Sequence, residues 1–118
     1  MRTSDRKVNK SLENEIKRML TQTFADISKA QNVDKFLKGF MTESEYETFA
    51  KRLAIAYWLK KGRSYANIKT NLKVSSATIA SVQSMIDNPG FKEALKMIEA
   101  DEWASQWSDK IKKFLPNV

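Results

Sequence analysis

Residues 53–59 read LAIAYWL, seven apolar positions in succession. The run lies between Thr42-Glu-Ser-Glu45 and Gly62, and both flanks mark a helix. A threonine followed three residues later by glutamate is a capping box, Met41 stands where a hydrophobic staple would, and glycine is the commonest residue just past a helix end. A helix is expected from Glu43 to about Lys61. Seven apolar residues in a row make two turns with no wet face, and such a helix must be covered on every side. A chain of 118 residues is expected to form one domain, 1–118, with few other helices to cover it. Part of the cover is therefore expected from a second copy.

Directly downstream, 65–84 read YANIKTNLKVSSATIASVQS. Ile68 and Leu72 share one helical face, Val74 falls in a turn, and Ile79 and Val82 share the inner face of a second helix. Ser64 is placed to cap the first helix and Ser75 or Ser76 the second, because a hydroxyl accepts from the open amides of a first turn. This is the pattern of a helix-turn-helix over 64–86. Ser75, Ser76, Ala77, Thr78, Ala80, Ser81 and Ser84 are then left facing outward. A small, polar face without negative charge can lie deep in a major groove, with hydroxyls for base edges and methyls for thymine. The pattern also fits an ordinary helix pair with a solvated outer face. Lys73 falls where such turns usually place a left-handed glycine, at a cost of ~1 kcal/mol.

Charge weighs toward DNA. The chain carries 21 basic and 14 acidic residues, net +7. No acid occurs between Glu47 and Asp87, where seven basic residues do: Lys51, Arg52, Lys60, Lys61, Arg63, Lys69 and Lys73. An acid-free basic window spanning a helix pair is what phosphate contact requires. Lys60, Lys61, Arg63, Lys69 and Lys73 are the candidate phosphate contacts.

The chain has no cysteine and no histidine, which excludes disulfides, thiolate catalysis, cysteine or histidine zinc sites and histidine-dependent triads. The remaining carboxylates, serines and lysines form no catalytic constellation, so no enzyme activity and no cofactor are expected. No apolar run approaches the ~20 residues of a membrane span, and the N-terminus leads into no signal-type apolar core. A cytoplasmic location follows as the expectation.

Residues 1–7 read as a mobile, basic arm. From Val8 to Ile27, Leu12, Ile16, Met19, Leu20, Phe24 and Ile27 recur at helical spacing. A short helix with Val33, Phe36 and Leu37 follows, with Gly39 as its expected C-cap. Asn88-Pro89-Gly90 breaks the chain after the helix pair. Phe91, Leu95 and Ile98, then Trp103, Trp107, Ile111, Phe114 and Leu115, mark a last helical stripe ending at Pro116.

Taken together, Met41 to Leu53 (MTESEYETFAKRL), Leu-Lys-Lys-Gly62, Ile-Lys-Thr-Asn-Leu72 and Ser76-Ala-Thr-Ile79 resemble the core of the trp repressor superfamily in order and spacing, with one residue fewer after Gly62. The resemblance is specific over about 41–86. It implies an all-α, trp-repressor-like intertwined helical dimer whose helix-turn-helix pairs enter successive major grooves. The family's DNA contacts match Tyr65, Ala66, Lys69, Ser76, Ala77, Thr78, Ala80 and Ser81, of which Lys69, Ala77 and Thr78 keep the family's residue. Its tryptophan pocket matches Thr42, Arg52, Ser81, Val82 and Met85. Thr42 and Arg52 are retained, whereas an arginine is replaced by Ser81, a glycine by Val82 and a serine by Met85. Valine at position 82 brings the chain closer to the branch called YerC/YecD-type. Val82 and Met85 are expected to fill the ligand space and make DNA binding independent of tryptophan.

The expected function is thus a homodimeric regulator of transcription that binds double-stranded DNA in a sequence-specific way and represses by occupancy, with no metal or membrane partner. The alternative is a module whose helix pair binds a protein such as the transcription machinery, as in the sigma-factor region it distantly resembles.

Overall fold

The computed structural model describes residues 6–114, in which six α-helices and no strand occur: α1 (Lys10–Asp26), α2 (Ala30–Phe40), α3 (Glu43–Lys60), α4 (Tyr65–Leu72), α5 (Ser76–Met85) and α6 (Pro89–Phe114). The all-α expectation holds. The expected arm at 1–7 lies mostly outside the described residues, as do Leu115 and Pro116. No described helix is long and apolar enough to cross a membrane. The chain divides between Tyr46 and Glu47 into two compact units.

In the first unit, α1 starts two residues later than the apolar period suggests, because the Asn9 side chain accepts from the Leu12 amide at 2.9 Å and caps it. Glu13 pairs with Lys17 at 2.9 Å, one turn away. Phe24, Phe36 and Phe40 form a short aromatic row, with ring centroids 5.0 Å and 4.5 Å apart in sequence order. Gly39 is not the C-cap. The helix runs on to Phe40, and the Met41 amide closes it on the Leu37 carbonyl at 2.9 Å, so no left-handed residue is needed. The Tyr46 hydroxyl donates to Asp34 at 2.7 Å. That bond, with Lys38 beside it, holds the Asp34 carboxyl below its ordinary range. No residue of α1 or α2 is buried, and the apolar stripe of α1 stays open, with Met19 67% exposed.

The capping box forms as the sequence requires. The Glu45 amide donates to the Thr42 hydroxyl at 3.1 Å, and the Thr42 amide donates to the Glu45 carboxylate at 2.9 Å. At its other end α3 closes in a Schellman turn: Gly62 N–H reaches the Leu59 carbonyl at 3.0 Å and Arg63 N–H reaches Trp58 at 3.1 Å, with Gly62 at φ 83°. Glycine takes that left-handed conformation without the Cβ clash other residues meet.

The second unit is built around Ile55 and Ala56 of α3, Ile68 of α4, Ile79 and Val82 of α5 and Leu95 of α6, each at most 2% exposed. A fully buried isoleucine contributes roughly 1.5–3 kcal/mol. These few side chains therefore fix the helix-turn-helix against α3 and α6. The apolar run of α3 is covered unevenly within the chain. Ile55 and Ala56 are enclosed, Tyr57, Trp58 and Leu59 are half-buried, and Leu53 remains 38% exposed, one turn from Phe49 at 50%.

Candidate nucleic-acid interface

Three local devices fix the helix-turn-helix. Ser64 caps α4, accepting from the Asn67 amide at 3.1 Å, and Ser75 caps α5, accepting from the Thr78 amide at 3.1 Å. Between them Lys73 adopts φ 56° and ψ 51°, in the left-handed region. Of the two serines that could cap α5, Ser75 does so, which leaves Ser76 as the first helical residue. The Tyr65 hydroxyl donates to the Gln83 side-chain oxygen, tying the start of α4 to α5. Tyr65 is half-buried against the core, so its hydroxyl is a tie between helices and not a free contact.

Ser75, Ser76, Ala77, Thr78, Ala80, Ser81 and Ser84 are all exposed, as the spacing requires, while Ile79 and Val82 turn inward. Not every hydroxyl is free. Ser75 and Thr78 share a hydrogen bond at 2.9 Å, and Ser84 donates to the Ser81 carbonyl at 2.6 Å. Ser76 and Ser81 offer hydroxyls with no partner among the described residues, flanked by the methyls of Ala77 and Ala80. Neither α4 nor α5 has an acid in its first turn, so their open N-terminal amides present positive potential outward.

A cleft of about 650 Å³ opens beside this face. Thr48, Lys51, Arg52 and Ile55 of α3 form one wall, Lys73, Val74 and Ser75 of the turn an end, and Ala77, Thr78, Ser81, Val82 and Met85 of α5 the other wall. No carboxylate lines it. Lys51 pairs with Glu47 at 3.0 Å, while no described carboxylate lies within ion-pair reach of Arg52 or Lys73. Arg52, Ser81, Val82 and Met85 do meet around one space. Thr42 is not among its lining residues, and its hydroxyl is engaged in the capping box.

The expectation that Val82 and Met85 fill this space is corrected. Val82, 2% exposed, packs inward on the core and forms the floor, and half-buried Met85 forms a wall, so the cleft stays open. Sequence reasoning missed Thr48, and it counted Lys51 and Arg52 in the acid-free basic window without placing either among the phosphate contacts. The signal was available: 48, 51, 52 and 55 fall at helical spacing on one face of α3.

The five candidate phosphate cations do not share one environment. Lys69 and Lys73 are exposed with no ion pair among the described residues. Arg63 lies over the Trp58 ring, 4.0 Å from guanidinium carbon to centroid, and donates to the Asn67 side chain at 3.3 Å. Lys60 pairs with Glu99 at 2.9 Å and Lys61 with Glu102 at 3.2 Å, both acids on α6. The window that lacks acids in sequence thus meets two of them in space. Among the described residues no group of acids could hold a metal ion.

A family profile described as Trp repressor protein matches residues 14–99. The chain is also similar to a protein of Bacillus subtilis (strain 168) called uncharacterized protein YerC. They are 29% identical over 91 residues, covering 73% of this chain and 88% of that protein, which agrees with the branch indicated by Val82. No solved structure matches. The matched span runs from α1 through the whole helix-turn-helix into α6, most of the described chain, and on that ground the chain belongs to the Trp repressor protein family, a helix-turn-helix family of DNA-binding regulators.

Proposed function

We propose that the protein is a transcriptional regulator that binds double-stranded DNA as a homodimer, acts in the cytoplasm, and represses by occupying its site without a tryptophan corepressor. One observation carries this reading: the exposed, small and uncharged-to-polar face of α5 adjoins an acid-free cleft edged by Arg52 and Lys73. Helix α5 enters the major groove, with Ser76, Ala77, Thr78, Ala80 and Ser81 at base edges. Arg52, Lys69 and Lys73 meet phosphates on either side, since backbone contacts fix the register while base contacts carry the sequence. A recognition helix without Lys or Arg gives up the bidentate guanine contact, so preference rests on hydroxyl and methyl contacts.

The dimer is supported by apolar surface that one chain leaves open. Met19 and Leu20 of α1, Phe40 of α2 and Phe49 and Leu53 of α3 are between 38% and 77% exposed. Large apolar side chains left open on each unit mark association surfaces, and a second copy presents the same side chains by symmetry.

Salt dependence and duplex selection test the reading. Arg52, Lys69 and Lys73 from two chains give six phosphate contacts and a log-log slope of about −5, from roughly 0.9 per phosphate. Lys69→Ala with Lys73→Ala should weaken every duplex alike, whereas Thr78→Ala should act mainly on duplexes selected from a random pool. A flat salt slope would point to a protein surface as the partner. Equal losses from both changes would remove α5 from the groove.

A further inference from the structure

Lys60 and Lys61 close α3 immediately before the turn into α4, and Lys61 stands three residues ahead of the Ser64 cap. In helix-turn-helix proteins the first helix of the pair crosses the DNA backbone, so two lysines beside its N-terminus are well placed to add phosphate contacts. Here each is already neutralised. Lys60 lies 2.9 Å from Glu99 and Lys61 3.2 Å from Glu102, acids spaced three apart on one face of α6. All four side chains are partly exposed, and exposed ion pairs add little to stability, typically well under ~1 kcal/mol. A fold held by the apolar core of the second unit does not need them. What the pairs do change is the field at the interface. A phosphate approaching either lysine must also approach its carboxylate, and the net charge it meets is close to zero.

We infer that Glu99 and Glu102 limit the number of phosphates this protein can neutralise, holding Lys60 and Lys61 out of DNA contact and so keeping the sequence-independent part of its affinity small. The inference rests on the DNA-binding reading above. Its physical sense lies in α5. Hydroxyl and methyl contacts give modest discrimination, while phosphate contacts hold a protein on any sequence, and the genome offers a vast excess of sequences of the wrong kind. With a weak reader, additional phosphate contacts would bind the protein everywhere. The two acids on α6 prevent that without touching the reading surface. Glu99 is the last residue of the span matched by the family profile, and Glu102 lies beyond it.

The test is the salt slope of binding to a labelled random-sequence duplex, measured by anisotropy for four proteins: wild type, Glu99→Gln/Glu102→Gln, Lys60→Gln/Lys61→Gln, and all four changes together. Glutamine keeps size and polarity, and circular dichroism checks that each variant folds. Releasing two lysines per chain should steepen the slope by about 1.8 per chain. A fourfold drop in salt should then raise affinity about 12-fold more per chain than it does for wild type. Lys60→Gln/Lys61→Gln alone should leave the wild-type slope unchanged, and the quadruple variant should return to it. An unchanged slope in the folded glutamate variant overturns the inference. So does a loss of about 1.8 per chain on removing the lysines from wild type, since they would then already be reaching phosphate. That second comparison stands even if the glutamate variant fails to fold. Failure of the wild-type protein to bind any duplex would instead overturn the DNA-binding reading itself.

Discussion

Replacing Lys73 with glycine should make the protein more stable and a weaker DNA binder at the same time. Lys73 sits at φ 56° and ψ 51°, where an L-residue with a Cβ is roughly 1–2 kcal/mol above its right-handed alternative. Glycine removes that strain but brings a more flexible unfolded chain, which returns roughly 0.5–1 kcal/mol. The net gain is about 0.5–1 kcal/mol, or about 2–5 °C in melting temperature for a domain of this size. The same change removes a cation with no ion pair among the described residues at the end of the cleft, so the DNA salt slope should shrink by about 0.9 per chain. Lys73→Ala separates the two effects, because it loses the charge and keeps the strained conformation. It should match the glycine variant in DNA binding and show no gain in stability. Thermal melting by circular dichroism and anisotropy titrations at several salt concentrations measure both quantities. A glycine variant that melts at or below the wild-type temperature, or an alanine variant that melts as high as the glycine one, would show that Lys73 is not strained. A lysine in this strained conformation at the end of the cleft fits a role in phosphate contact, as backbone strain tends to gather at functional sites.

Ser75→Ala should cost about 1 kcal/mol, the usual loss of a serine N-cap, whereas Ser76→Ala should be nearly neutral. Urea midpoints of the two variants distinguish them. The melting temperature should rise with protein concentration, because folded monomers would expose the α1 stripe, and sedimentation should give the dimer mass. Glu45 accepts from the Thr42 amide, which holds its carboxyl below the ordinary glutamate range. A depressed folded-state value means that its contribution is complete above the unfolded pKa and is lost as pH falls through the folded one. Glu45→Gln should therefore flatten the acid limb of the melting-temperature profile, and an unaltered limb would exclude this carboxyl as a cause.

Most of what depended on chain-local chemistry was legible in the sequence. The capping box at Thr42, the glycine turn at Gly62, the serine caps and the left-handed Lys73 each involve groups within a few residues of one another, and all four form. So did the inward Ile68, Ile79 and Val82, because helical period fixes which side chains share a face. Contacts between distant segments were not legible. The acids that neutralise Lys60 and Lys61 are some 40 residues downstream, and a linear charge window cannot register them. Tyr65 looked like a free contact by position, yet its partner Gln83 lies across the helix pair. Gly39 was read from residue type alone. Glycine is common at helix ends but not required there, and the backbone at Gly39 has no positive φ.

The cleft changes the grounds on which a tryptophan response is judged. Sterics do not close it, since about 650 Å³ remains between α3 and α5. Chemistry argues against the amino acid. A zwitterion brings an ammonium as well as a carboxylate, and the lining side chains supply two cations without an ion pair among the described residues, Arg52 and Lys73, a third, Lys51, that is paired with Glu47, and no carboxylate to receive it. An ammonium about 5 Å from one guanidinium is opposed by about 3 kcal/mol at an effective dielectric of 20, and by about 1 kcal/mol with full water screening, which an open cleft approaches. Nor is there a surface for the indole. No aromatic ring lines the cleft, and Ser81 stands where the family resemblance places a stacking arginine. A phosphate, wholly anionic, meets none of these objections. Saturating L-tryptophan should therefore leave both melting temperature and duplex affinity unchanged. A ligand at 100 times its dissociation constant would stabilise the fold by ~2.7 kcal/mol. A rise of that size, accompanied by tighter DNA binding, would mean that a backbone carbonyl or the second protomer receives the ammonium, and that the cleft holds the amino acid after all.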